Sequence, residues 1–141
     1  METLYVQKLH TDACVPQRQT KDSAGYDLHS YADYIIPPNS KQLIDTGVAF
    51  TVPPGTYGRI APRSGLSCKG TDVGAGVVDR DYTGEVKVLL FNLNTDKEIT
   101  IKKDDRIAQL ILTKISCCDV VEVESLESTS RGEGGFGSTG A

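Results

Sequence analysis

The run Arg131-Gly132-Glu133-Gly134-Gly135-Phe136-Gly137-Ser138-Thr139-Gly140 sets unhindered backbone N–H groups, two hydroxyls and one guanidinium around a lone aromatic ring. Such a segment can cradle a phosphate and lay a stacking lid over a base. By composition alone the commoner reading is a flexible glycine tail. Residues 132–137 also satisfy G-x-G-x-x-G, but a kinase loop needs a strand lysine and a catalytic loop downstream, and only four residues follow Gly137.

Pro62-Arg63-Ser64-Gly65-Leu66 joins an arginine fork, a hydroxyl and a glycine at a strand end. It reads either as an anion site at a helix start or as an N-capped turn whose arginine makes a surface ion pair. From Gly76 to Val86 the pattern is a hairpin: Gly76, Val77 and Val78, a polar turn holding Asp79 and Tyr82, then the alternation of Val86, Val88 and Leu90. The exposed edges of such a hairpin could read a planar base, with Tyr82 as a flat face below a sugar. The plainer alternative is that Asp79 and Asp81 stiffen a turn.

Asp27 lies among apolar and aromatic residues in Ala24-Gly25-Tyr26-Asp27-Leu28, so its carboxylate is either buried with partners or facing a site. Gln109 interrupts the apolar run Ile107 to Leu112 just after the charged turn Asp104-Asp105-Arg106, and its amide requires a hydrogen-bond partner there. His10 and His29 are general bases by type, but no Ser or Cys nucleophile is arranged with them, and they read as strand or surface residues.

The elements that would position these groups are strands. Period-two apolar alternation recurs at Leu4, Val6 and Leu9, at Val86, Val88 and Leu90, at Ile99 and Ile101, and at Val121 and Val123. Turn signals at Pro37-Pro38-Asn39, Pro53-Pro54-Gly55, Asn94-Thr95-Asp96 and Lys103-Asp104-Asp105 separate the runs in the layout of a sandwich or barrel. An all-β domain is predicted, with one short helix from Ser64 to Gly70. Arg106 to Leu112 is β-branched enough to be a strand.

At 141 residues the chain suits a single domain, placed here over residues 1–124. Residues 125–141 carry Phe136 as their one large apolar side chain after Leu126; such a segment cannot offset its ordering entropy and is predicted to be a mobile arm when free. The net charge of −4 comes from 15 basic and 19 acidic residues without a long single-sign run, which argues against a nucleic-acid partner. Apolar stretches such as Val88 to Phe91 fall far short of the ~20 residues that span a bilayer, so no membrane partner is expected. The opening residues lack the pattern of an export signal. Cys14, Cys68, Cys117 and Cys118 form neither C-x-x-C pairs nor a zinc pattern. They are expected to be buried small hydrophobes in a reducing compartment, cytoplasmic or nuclear.

Taken in series, AGYDL at 24–28, PRSGL at 62–66, GVVDRDYTGE at 76–85, DRIAQLI at 105–111 and RGEGGFGSTG at 131–140 resemble the five motifs of the trimeric dUTP pyrophosphatases, the dUTPases. The resemblance spans nearly the whole chain. It implies a jelly-roll-like (β-clip) fold closing as a homotrimer whose shared sites draw Asp27, Arg63, Ser64, Gly65 and Gln109 from one subunit. Asp79 and Tyr82 would come from a second, and the arm from a third.

The implied reaction is hydrolysis of dUTP to dUMP and pyrophosphate, which limits uracil incorporation into DNA and supplies dUMP for dTMP synthesis. By the resemblance, Asp79 activates the attacking water and touches the 3′-hydroxyl, while Arg63, Ser64, Gln109 and the catalytic Arg131 meet the phosphates. Mg²⁺ is the implied cofactor, held mainly by the triphosphate with Asp27 nearby through water. Backbone groups from Gly76, Val77 and Val78 to Lys87 would match uracil, Tyr82 would pack under the deoxyribose and Phe136 would stack on the base. Gly137, Ser138 and Thr139 would complete the arm's contacts. The family usually has glycine where this chain has Asp104; if that turn needs positive φ, aspartate tolerates it better than most side chains, so a small local cost and intact activity are expected. A dCTP deaminase on the same scaffold and a non-catalytic dUTP sensor are the alternatives. Retention of Tyr82 with the full arm disfavours the first, and the presence of Asp79 disfavours the second.

Overall fold

A computed structural model describes residues 2–137, so Ser138 and Thr139 lie outside the described residues. The elements run β1 (Tyr5–Lys8), β2 (Tyr26–His29), β3 (Tyr34–Ile36), β4 (Ser40–Asp45), β5 (Val48–Thr51), β6 (Thr56–Ala61), α1 (Ser64–Cys68), β7 (Thr71–Gly74), β8 (Val77–Val78), β9 (Lys87–Asn92), β10 (Ile99–Ile101) and β11 (Arg106–Lys114). Every strand pair is antiparallel. The sheets have the orders β2-β11-β6-β8, β4-β9-β7, β1-β5 and β10-β3. This is the expected all-β domain with one short helix.

Alternation explains which strand faces look inward. Along β9, Val88 and Leu90 are buried between the more exposed Lys87, Leu89 and Phe91. They pack with Leu28, Ile36, Ile44, Ile101, Ile107 and Leu110 in one core, where each fully buried side chain of this size contributes roughly 1.5–3 kcal/mol. Turns fall where the sequence signals them, with left-handed backbone at Asn39 (φ 56°), Gly55 (φ 78°) and Asp104 (φ 72°). Buried Asn92 closes the end of β9: its Nδ2 donates to the carbonyls of Ile36, Pro37 and Lys97 at 2.8–3.1 Å.

Three expectations are corrected. Val121 and Val123 form no strand: β11 ends at Lys114, and both valines are exposed, because alternation makes a strand only where another strand takes up its hydrogen bonds, and none pairs with this segment. Residues 76–86 do not form a hairpin ladder. β8 pairs with β6 while β9 pairs with β4 and β7, so the two strands diverge into separate sheets. Nor are the cysteines core hydrophobes: Cys14 is half-buried, while Cys68, Cys117 and Cys118 are exposed, the last two beyond β11 and Cys68 on a helix with no buried residue. All four are free thiols. Among the described residues no helix is long and apolar enough to cross a membrane.

Candidate active site

Asp27 and Gln109 are direct partners in the β2–β11 ladder, and Arg106 stands opposite His29 two positions along. In a regular strand Arg106 and Gln109 would point to opposite faces. The register shift between Arg106 and Ala108 absorbs one residue and reverses the phase, so both side chains come to the Asp27 face. Arg63 reaches the same place from the end of β6. Its Nε lies 3.6 Å from Asp27 Oδ1, its Nη1 donates to the Arg106 carbonyl at 3.0 Å, and Arg106 Nη1 lies 3.9 Å from Asp27 Oδ2. Asp27 is therefore a buried carboxylate with partners, of which Gln19 is another: its Nε2 donates to Asp27 Oδ2.

The Gln109 amide finds its partner in the Pro62 carbonyl, 2.9 Å away. That bond fixes the start of the Arg63 loop. Arg63 is the N-cap of α1 with extended backbone and makes no side-chain cap bond, so the exposed Ser64 and Gly65 open the helix without a capping side chain. Beside them a polar cleft of about 360 Å³ is bounded by Arg63, Gly65, Lys69, Asp105 and Arg106. Two guanidiniums and an ammonium outnumber the cleft's two carboxylates, Asp104 and Asp105, and with the uncapped amides they suit an anion.

The second cluster is built around β8. Ala75 (φ 62°) and Gly76 (φ 65°) turn the chain from β7 into β8, and a Cβ at position 76 would meet the Ile60 carbonyl at 3.0 Å. β8 is an edge strand, so its outward backbone groups face a cleft of about 210 Å³ lined by Gly76, Val77, Val78, Asp79, Tyr82 and Lys87 among others. Asp79 is exposed at its mouth. The Tyr82 amide donates to the Asp79 carbonyl at 3.1 Å and the Tyr82 hydroxyl to the Glu85 carbonyl at 2.7 Å, which holds the ring in place. A Cβ at Gly84 would stand 2.7 Å from that hydroxyl, so a larger residue there would displace the Tyr82 ring from this position. Lys87 is directed elsewhere: its Nζ bonds Asp45 Oδ1 at 2.8 Å, and that bond raises its pKa. Any base contact from residue 87 would have to come from its backbone.

The two clusters are separated along β6. β8 pairs at Gly58 and Arg59 and runs toward the Thr56 end, whereas Arg63 lies beyond Ala61. From Gly58 to Ala61 the strand rises about 10 Å at about 3.3 Å per residue, and Asp79 and Arg63 continue past opposite ends of that interval. The arm is a third element. Arg131 Nε donates to the Gly134 carbonyl at 2.6 Å, Gly132 N donates to Thr129 Oγ1 at 3.1 Å, and Phe136 is wholly exposed. His10 stacks on Tyr31 with ring centroids 4.3 Å apart, and His29 Nδ1 is buried with no hydrogen-bond partner.

Sequence reasoning left out Arg106 and Gln19 as site residues. Arg106 was signalled by its place beside Asp105 ahead of an apolar strand. Gln19 carried no signal, because its loop meets Asp27 only after folding.

Comparison with known proteins agrees with this architecture. The family described as dUTPase matches residues 11–140. Deoxyuridine 5′-triphosphate nucleotidohydrolase of Eremothecium gossypii is 55% identical over 140 residues, covering 98% of this chain and 91% of that protein. Its counterpart in Saccharomyces cerevisiae is 53% identical over 141 residues, covering 99% and 95%. Among solved structures, the Staphylococcus bacteriophage 80alpha dUTPase with dUPNHPP superposes with a TM-score of 0.89 at 32% identity over 99% of both chains. A mutant dUTPase from phage phi11 of S. aureus, described as revealing the coordination of a structural Mg(II) ion, gives 0.83 at 27% identity, covering 89% of this chain and 99% of that one. With the family match running from residue 11 to 140 and relatives more than half identical along nearly their whole length, the chain belongs to the dUTPase family.

Proposed function

We infer that this chain is a dUTP diphosphatase, hydrolysing dUTP to dUMP and pyrophosphate, and that its site is completed by three copies of the chain. The observation that carries this reading is the separation along β6. Uncapped amides and arginines lie past one end and Asp79 beside an edge strand at the other, an arrangement that supports a site in which different copies supply the phosphate groups and Asp79. The exposed Val120, Val121, Val123 and Leu126, followed by an arm whose Phe136 has nothing under it, give the chain a reason to continue onto a neighbour.

In the assembled site the β8 edge offers backbone donors and acceptors to uracil, while cytosine's reversed pattern would leave buried groups unpaired. Tyr82, held by its bond to Glu85, packs under the deoxyribose, and Phe136 closes over the base. Arg63, Ser64, Gly65, Gln109 and Arg131 bind the phosphates, with Arg106 beside them. Asp79 accepts a proton from water as that oxygen bonds to the α-phosphorus, the bond to the bridging oxygen breaks, and pyrophosphate leaves.

Among the described residues no group of three or more His, Cys, Asp or Glu side chains gathers to hold a metal. Asp27, buried between two arginines, offers one hard oxygen donor and repels a bare cation through those arginines. That donor set fits magnesium arriving with the nucleotide: Asp27 would hold it through water, and the ion would supply charge neutralisation on the phosphates. The exposed thiols suit a reducing compartment, cytoplasmic or nuclear.

The test is pyrophosphate release from dUTP, dTTP, dCTP and UTP with magnesium and with chelator, alongside light scattering. Release from dUTP alone, dependent on magnesium, and a mass near three times 15.2 kDa are expected. Ammonia release from dCTP, or binding of dUTP without turnover, would replace the reading with a deaminase or a sensor.

A further inference from the structure

The loop before β2 is built more firmly than a connection needs to be. The Asp27 amide donates to the Gln17 carbonyl at 2.8 Å, which lays the loop along the edge of β2. Arg18 sits over the Tyr26 ring at 5.4 Å and donates from Nη1 to the Lys21 carbonyl at 2.8 Å. Thr20 and Ser23 close the tip, with their hydroxyls 2.8 Å apart. All of this fixes one exposed side chain, Gln19, so that its carboxamide donates to Asp27 Oδ2.

We propose that Gln19 is a positioning residue that keeps the Arg106 guanidinium off Asp27 and available to the phosphate cleft. This rests on the reading of the cleft that Arg63 and Arg106 border as the phosphate site. A buried carboxylate draws in whatever donors are near. Here the neutral amide of Gln19 occupies Oδ2, and Arg106 stays 3.9 Å from that same oxygen, beyond the 2.7–3.2 Å of a tight N–H···O bond, while Arg63 faces the other oxygen. Without the amide, Oδ2 is best satisfied by closing onto the Arg106 guanidinium, which would then be withdrawn from the phosphate cleft. Gln19 thus sets triphosphate affinity from a loop that lies outside all five motifs.

The test compares the full chain with Gln19→Met, which keeps length and removes the donor, and Gln19→Glu, which also adds charge beside Asp27. The expected result is a KM for dUTP raised about three- to tenfold by Gln19→Met and further by Gln19→Glu. The kcat stays within about twofold and the Tm within about 2 °C. Deoxyuridine, which has no phosphate, should inhibit all three proteins equally. An unchanged KM in Gln19→Met, a fall confined to kcat, or an equal loss of deoxyuridine binding would overturn the proposal. If the unaltered chain does not hydrolyse dUTP at all, it is the reading of the site that fails.

Discussion

A Cβ added to Gly25 would stand 2.2 Å from Gln109 Oε1 and 2.8 Å from Gln109 Cβ. The glycine before Tyr26 and the amide in the middle of β11 are therefore one device. The missing side chain is the space in which Gln109 turns to hold the Pro62 carbonyl, and through it the loop that carries Arg63. Gly25→Ala should displace the amide and loosen that loop. We expect a stability loss of about 1–3 kcal/mol from overpacking and a kcat/KM for dUTP at least about tenfold lower. Denaturant melts and steady-state kinetics measure both, and unaltered kinetics would mean that Gln109 finds an equivalent position.

Asp79→Asn keeps the size of the side chain and removes its basicity. Binding of a non-hydrolysable dUTP analogue should change by no more than a few-fold, while kcat falls by about 10²–10⁴, the usual contribution of a general base. A kcat like that of the unaltered chain would remove Asp79 from this role.

Deleting residues 130–141 should leave the assembly intact, because β11 and the core end well before them. Light scattering should still give about three times the chain mass, whereas kcat drops severely with the loss of Arg131 and Phe136. Full activity after truncation would make the arm a passive tail.

Asp104 occupies a left-handed turn at φ 72°, with Lys103 Nζ 3.4 Å from its Oδ1 and the Cys14 thiol donating to the same oxygen at 3.4 Å. Replacing it by glycine relieves the backbone, while alanine keeps the strain and loses the polar contacts. Asp104→Ala should therefore be less stable than Asp104→Gly by about 1 kcal/mol. Because the carboxylate borders the cleft shared by Arg63 and Arg106, Asp104→Gly should also lower the KM for dUTP. The nearby lysine should keep that change below about threefold.

The Tyr31 hydroxyl donates to Asp12 Oδ1 at 2.7 Å, a bond that lowers the Asp12 pKa and raises that of Tyr31. A lowered carboxylate pKa stabilises the fold above pH 3.8 and loses its effect as pH falls. A raised phenol pKa stabilises below pH 10.0 and loses its effect as pH rises. The advantage of the unaltered chain over Tyr31→Phe should be a plateau between those limits that declines on both sides. Thermal melts across pH would show it, and a constant difference would mean that the bond contributes nothing.

Much of this was legible in the order of residues. Strand alternation, turn residues and the short helix at PRSGL are local properties, and local steric preferences act on them directly. The five motifs likewise carried their identity in residue type and spacing, and Asp104, standing in a turn where the family's glycine is usual, raised the question of a left-handed backbone that the fold answers with φ 72°. What the order of residues could not reveal depends on partners distant along the chain. The bulge beside Arg106 turns two side chains of opposite parity onto one carboxylate, and only the pairing with β2 requires it. Gln19 meets Asp27 because a loop is pinned along a strand edge. Val121 and Val123 alternate as a strand does, yet pair with nothing in their own chain, because a strand exists only where another edge accepts its hydrogen bonds. Residue identity alone determined the chemistry this chain can attempt, whereas the register of its strands decided which of those groups meet.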